Sequence, residues 1–175
     1  METTKNKLST YNTHFFNKLS AYIDNKLYFF GSVQRDDYFP NYSDIDVDIF
    51  SYNIDSLKSK LVTFLGVSTQ KFRKFIYRLH KSDNIVTGYT LNYSEPENNL
   101  FVEFSIYDEK YKDKVLLEHN SKADLPYYVI WLLIILKTFY YVIPIIPKDI
   151  YISIKKNVIN YIVEGEDAEF VHIES

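Results

Sequence analysis

Ser43-Asp44-Ile45-Asp46-Val47-Asp48-Ile49-Phe50 alternates polar and apolar residues without a break. A period of two is the mark of a β-strand with two unlike faces. Here one face is acidic and the other apolar. Asp44, Asp46 and Asp48 share the acidic face, successive carboxylates lying about 7 Å apart along the strand. Acids are depleted in strands, and three on one face repel one another, which argues against a plain solvated edge. A calcium loop of EF-hand type would put acids at positions 1, 3, 5 and 12, as Asp44, Asp46, Asp48 and Asp55 are. That loop needs glycine at its sixth position, where this chain has Ile49.

Before this stretch, Lys26-Leu-Tyr-Phe-Phe30 predicts a short strand ending at Gly31-Ser32, and Pro40-Asn41 marks a loop over 33–42. After it, the spacing predicts a helix over 55–65 closed by Gly66 and a basic amphipathic helix over 70–80. Residues 84–93 and 100–107 read as a β-hairpin around Ser94-Glu-Pro-Glu-Asn98. Leu8, Tyr11, Phe15, Leu19 and Tyr22 give 5–25 a helical period. Beyond Asp108 the pattern turns helical, with Asp124 as a candidate N-cap ahead of Pro126 and a last helix over 148–163. The order predicts an α/β (α+β) chain: a small mixed sheet with helices on one face, followed by C-terminal helices. Residues 1–120 would form the principal domain. Residues 121–175 would be a helical segment packed on it, or part of the same domain.

The chain has 175 residues, 46% of them hydrophobic and 25% charged, which suffices to bury a core and excludes disorder. A net charge of −3 and a pI near 5.8 leave no basic footprint for long duplex nucleic acid. With no cysteine, thiolate metal sites and cysteine nucleophiles are excluded, and a reducing cytoplasm is the expected setting. The run Leu125-Pro-Tyr-Tyr-Val-Ile-Trp-Leu-Leu-Ile-Ile-Leu136 is shorter than the roughly 20 residues of a membrane span. Lys137, Pro144 and Pro147 interrupt the apolar residues after it. The 125–146 segment is therefore expected in the core or against a partner, whether a second copy or another protein.

Three features carry chemistry. Gly31-Ser32 directly after a strand offers backbone N–H groups and a hydroxyl to phosphate oxygens. Asp44 and Asp46 project together from the next strand. Glu103 is a lone acid in the apolar strand Leu100-Phe-Val-Glu-Phe104, and it would join the aspartates if the two strands are neighbours. Three crowded carboxylates partly protonate unless a cation neutralises them. Such hard oxygen donors suit Mg²⁺ or Mn²⁺, and two ions about 3.5–4 Å apart can serve an in-line phosphoryl displacement.

Phe30-Gly31-Ser32, a loop, Ser43-Asp44-Ile45-Asp46-Val47 and a later strand with Glu103 together resemble the DNA polymerase β-like nucleotidyltransferase superfamily. The likeness covers residues 27–108 and is greatest to the small, minimal members of the antitoxin and aminoglycoside type. The resemblance implies a nucleotidyltransferase-like palm that moves a nucleoside monophosphate from an NTP, ATP being favoured, to a hydroxyl with release of pyrophosphate. Asp44 and Asp46 would hold two Mg²⁺ (or Mn²⁺) ions, Glu103 would complete the one that activates the acceptor, and Gly31 and Ser32 would bind phosphates. The acceptor could be a protein, a small molecule or another nucleotide. A catalytically inactive, antitoxin-like interaction module is the alternative.

Arg35 and Lys137 are candidates for triphosphate contacts, with pairing to Asp36 or Asp37 the competing role for Arg35. The chain departs from the minimal members in Arg35-Asp36-Asp37 after the Gly-Ser turn and in Asp48 at a position that is ordinarily apolar. Asp108 competes with Glu103 as third acid, but Glu103 sits mid-strand between apolar neighbours. Tyr38, Tyr42 and Tyr93 could stack on a base or simply pack. His14, His80, His119 and His172 show no metal-ligand spacing.

Overall fold

A computed structural model describes residues 2–79, 84–163 and 170–173, with side chains through residue 159. In chain order the elements are α1 (Thr10–Ile23), β1 (Tyr28–Phe30), β2 (Ile45–Ser51), α2 (Ile54–Leu65), β3 (Arg73–Arg78), β4 (Ile85–Glu95), β5 (Leu100–Asp108), α3 (Lys112–Ala123), α4 (Tyr127–Lys137), α5 (Lys148–Val163) and β6 (Phe170–Ile173). The strands form one mixed sheet in the order β1-β2-β5-β4-β3-β6. Among the described residues only β2 and β5 run parallel; every other neighbouring pair is antiparallel.

Local sequence sets the helix ends. The Ser9 hydroxyl accepts from the Asn12 N–H at the start of α1, and Asp24 closes it in a left-handed turn. Asn53 accepts from the Ser56 N–H at the start of α2, and Gly66 closes that helix, φ +64°. Phe15, Phe16, Leu19 and Ile23 of α1 recur at helical spacing, as do Leu57, Leu61 and Leu65 of α2. Both helices bury these stripes on one face of the sheet, against Ile45, Val47 and Ile49 of β2 and Val102, Phe104 and Ile106 of β5. A second cluster lies on the opposite face, where Phe50, Phe75, Tyr77 and Tyr107 meet Val115 of α3. This is the small mixed sheet with a helical C-terminal part that the sequence predicts, but helices pack on both of its faces and not on one alone, because α3 covers Phe50, Phe75 and Tyr107 opposite α1 and α2.

The hairpin falls where expected: β4 pairs β5 from Glu95↔Leu100 to Gly88↔Tyr107, turning through a 3₁₀ segment at Pro96–Asn98. The last helix, α5, also keeps its expected bounds. The helix expected over 70–80 is not formed. Thr69–Lys71 make a 3₁₀ turn, and β3 comes next, pairing β4 from Arg73↔Thr90 to Arg78↔Ile85; His80 lies outside the described residues. Phe72, Phe75, Ile76 and Leu79 satisfy a helical period, but Phe75 and Tyr77 also satisfy a strand's, and the open edge of β4 decides for the strand. Asp124 does not cap α4 either. It lies just past the end of α3, and Pro126 precedes α4. The loop expected over 33–42 begins as a 3₁₀ turn, Gly31–Gln34.

Phe104 is fully buried between the sheet and the two N-terminal helices. Phe104→Ala is expected to lower the unfolding free energy by about 3–5 kcal/mol, read from urea midpoints by circular dichroism.

Candidate active site

Parallel pairing of β2 with β5 puts Asp46 directly beside Glu103, on strands about 4.8 Å apart. Both side chains are on the sheet face opposite α1 and α2, and both are half-buried. Asp44 lies just ahead of β2 and is exposed. Asp46, pressed by burial and then by the Glu103 and Asp44 charges, has its pKa pushed up to about 7 despite the opposing pull of Lys155 and Arg35. Glu103 is raised by burial and then by Asp44. The site thus holds more negative charge than its surroundings neutralise.

Gly31 explains how the Gly31-Ser32 turn meets this pair. It stands directly after β1 with φ +70°, and a Cβ built there would come within 1.9 Å of the Asp46 Oδ2 atom. Only glycine lets the turn lie against the carboxylate in this left-handed backbone. Ser32 is buried beside it. Gly31, Ser32, Asp46 and Glu103 all border a cavity of about 300 Å³. Ser32, Asp44, Asp46 and Glu103 also border an adjoining one of about 850 Å³.

Arg35 and Lys137 meet at Asp37. Arg35 Nε donates to Asp37 Oδ1 at 2.8 Å, and Lys137 Nζ lies 2.9 Å from Oδ2 and donates to the Asp37 carbonyl at 2.6 Å. All three side chains are buried. Burial opposes charge on each; Asp37 has two cations and stays below the ordinary carboxylate value. Lys137 is drawn down by burial to about 8, against the pull of Asp37. Arg35 borders the smaller cavity and Lys137 the larger, but both spend their charge on one carboxylate. Asp36 is paired separately, at the surface, with Lys5 at 2.8 Å.

Asp48 faces the same way as Asp46 yet belongs to another contact. It is completely buried, and its Oδ2 atom lies 2.7 Å from His119 Nδ1 of α3. The imidazole stacks on Phe30, ring centres 4.0 Å apart. Burial raises the Asp48 pKa against the pull of His119. Asp108 is turned elsewhere: it accepts from the Lys110 N–H at the end of β5. Tyr93 stacks on Phe15 and Tyr38 packs against the core, whereas Tyr42 borders the larger cavity.

Sequence reasoning passed over the other wall. Lys148, Ile152, Lys155 and Ile159 of α5 border the larger cavity, joined by Tyr141 and Tyr151. Lys155 faces both Asp46 and Glu103 closely enough to oppose their upward shifts. The signal was present, since residues four, three and four apart share one helix face. Nothing in it said that this face would close over the carboxylates. Tyr140 stacks on Tyr151 at 4.1 Å, and Tyr141 lies 5.4 Å from Tyr42, giving the cavity an aromatic side.

Among the described residues, no three acidic or histidine side chains converge tightly enough to clasp a metal ion. The donors still fit one in kind: oxygen ligands only, an excess of negative charge, and an Asp46 that burial keeps from ionising fully.

Comparison with known proteins agrees with the motif. Residues 14–159 match the nucleotidyltransferase domain family, so the chain belongs to that family. Among solved structures, the chain is similar to one in the structure of the GLD-2/RNP-8 complex, with 14% identity and a TM-score of 0.40. The likeness covers 81% of this chain and 51% of that one, so this chain spans about half its length. No curated protein matches the sequence.

Gly31→Ala is expected to displace Asp46 and to cost about 1–2 kcal/mol of stability, read from urea unfolding midpoints. Asp37→Asn leaves Arg35 and Lys137 buried without their counter-charge and is expected to cost about 3–5 kcal/mol at neutral pH. Because the Asp37 pKa is depressed on folding, its stabilisation is full above the ordinary value of 3.8 and fades as pH falls through its lower folded value. The difference between wild type and Asp37→Asn in urea unfolding should therefore shrink below that pH.

Proposed function

We propose that the chain transfers a nucleoside monophosphate from an NTP, with ATP the favoured donor, to a hydroxyl acceptor and releases pyrophosphate. The observation that carries this reading is the register match of Asp46 with Glu103 on parallel strands, beneath a cavity walled by lysines and tyrosines and rimmed by the Gly31-Ser32 turn.

Asp44, Asp46 and Glu103 would hold Mg²⁺ or Mn²⁺, which when bound offsets the charge of the donor phosphates and lowers the pKa of the acceptor hydroxyl. The Gly31-Ser32 turn presents backbone N–H groups and the Ser32 hydroxyl to the outer phosphates. Lys155, Lys156 and Lys148 supply positive charge across the cavity, the part foreseen for Arg35 and Lys137. Those two act instead through Asp37, holding the Gly31–Ser43 segment against α4. The tyrosine side of the cavity offers ring faces to a base. The acceptor oxygen attacks the α-phosphorus, its bond to the bridging oxygen breaks, and pyrophosphate leaves. Glu103, whose carboxyl burial raises from its ordinary value, would receive the hydroxyl proton. His119 borders the smaller cavity with the carboxylate pair, but its Nδ1 atom is engaged by Asp48 and its ring is stacked on Phe30, so one direct displacement is the simplest course. A protein, small-molecule or nucleotide acceptor fits this chemistry.

The test is label transfer from each α-labelled NTP with Mg²⁺ or Mn²⁺ into a lysate of the source cells. Transfer is expected for the wild type and should fall by more than about 100-fold in Asp44→Asn/Asp46→Asn. Protease or nuclease digestion of the product then identifies the acceptor class. Absence of both transfer and divalent-dependent NTP binding would replace the enzyme reading with that of an inactive interaction module.

A further inference from the structure

α4 buries one side and leaves the other bare. Val129, Ile130, Leu133, Leu136 and Lys137 face inward. Tyr127, Tyr128, Trp131, Leu132 and Ile135 face outward, with Val142 continuing the stripe one π-helical turn on. Tyr127 keeps 83% of its surface exposed and Trp131 64%. With a fully exposed aromatic side chain offering roughly 150–250 Å², the six outward residues present on the order of 800 Å². The largest apolar patch on a typical monomer is about 300–600 Å², and one side of a standard protein interface covers about 800 Å².

The charge pattern selects the occupant. Between Asp124 and Lys148 the only charged residue is Lys137, and it is turned inward onto Asp37. A helix lying on a lipid surface carries lysine or arginine beside its apolar face. Here the lysine beside the Tyr127 end, Lys5, is paired with Asp36, and the nearest outward charge along the chain, Asp124, is acidic. Nor does α4 span a bilayer: 11 residues rise about 16 Å against a hydrocarbon core of about 30 Å. A different protein partner would ordinarily be selected and oriented by complementary charge; here Lys5, Asp36 and Asp124 gather only at the Tyr127 end of the face, and no charged residue stands among Tyr128, Trp131, Leu132 and Ile135. Across a two-fold axis each residue near the centre meets its own copy, so a self-complementary patch must be free of charge there. This one is.

We propose that the outward face of α4 is the interface of a two-fold homodimer, in which α4 packs antiparallel on α4 of a second copy with Trp131 and Tyr128 as central anchors. The same helix bears Lys137 on its inner side and leads into Tyr140 and Tyr141 at the cavity, so the dimer would brace the aromatic side of the site.

Sedimentation velocity of the full chain over a concentration series tests this. The wild type is expected near twice the 20.8 kDa monomer mass. Trp131→Glu, which sets two carboxylates against each other near the axis, should sediment as a monomer with an unchanged circular dichroism spectrum. Trp131→Lys alone should also be monomeric. Mixing the Glu and Lys variants should restore the dimer, because only residue 131 meeting its own counterpart converts two repulsions into an attraction. A wild type that stays monomeric, a dimer that survives Trp131→Glu, failure of the mixed variants to pair, or a monomer that binds phosphatidylcholine–phosphatidylserine vesicles through this face would each overturn the proposal.

Discussion

The parallel pairing of β2 with β5 is the constraint on which the other features rest. An antiparallel β-meander would have left the aspartate strand and the Glu103 strand apart, each with an acid that neighbouring apolar side chains could not neutralise. Parallel pairing demands a long crossover. The chain supplies it through α2, β3 and β4, and that excursion inserts β5 between β2 and β4. One register then satisfies both faces at once. Val47 and Phe104 meet under α1 and α2, while the adjoining pair, Asp46 and Glu103, faces the cavity. A slip of one residue in either strand would turn that strand's acid under the helices and its core residues outward, so the energy that secures the hydrophobic face also sets the spacing of the carboxylates.

Charge is organised around this pair by sequestering it elsewhere. Asp37 takes Arg35 and Lys137, and Asp48 takes His119, each in a buried contact beside the site. Both contacts tie distant parts of the chain together: Asp37 joins the segment before β2 to α4, and Asp48 joins β2 to α3. A buried charge with a lost partner is costly, so these pairs act as locks on where the C-terminal helices lie. With the helices locked, α5 brings Lys155 over Asp46 and Glu103. The remaining imbalance at those carboxylates is what a cation or the charged end of a ligand would relieve.

The elements legible in the sequence alone were those whose local pattern admits one reading. The acidic-apolar alternation of 44–50 cannot be a helix, the Pro96 turn with its two flanking runs cannot be much besides a hairpin, and 148–163 has a single helical period. The error over 70–80 has the opposite origin. Phe72, Phe75, Ile76, Tyr77 and Leu79 serve a helix and a strand about equally, and the choice was made by pairing with a separate strand, from Arg78↔Ile85 to Arg73↔Thr90. The site shows the same division. Gly31, Ser32, Asp44, Asp46 and Glu103 are recognisable because their chemistry is unusual for their local setting: a glycine-serine turn after a strand, acids inside apolar strands.

By itself, then, the sequence determined which residues are chemically out of place and which segments alternate, because both are local properties of side chain and backbone. Tertiary structure alone decided which charges meet. Arg35 and Lys137 read locally as candidate phosphate ligands, and only the fold sets Asp37, two residues from one and a hundred from the other, between them. Lys155 and His119 looked like unremarkable helix residues until α5 and α3 came to rest over the sheet. Electrostatic roles depend on distances of a few ångströms between elements far apart in the chain, and no local pattern encodes those.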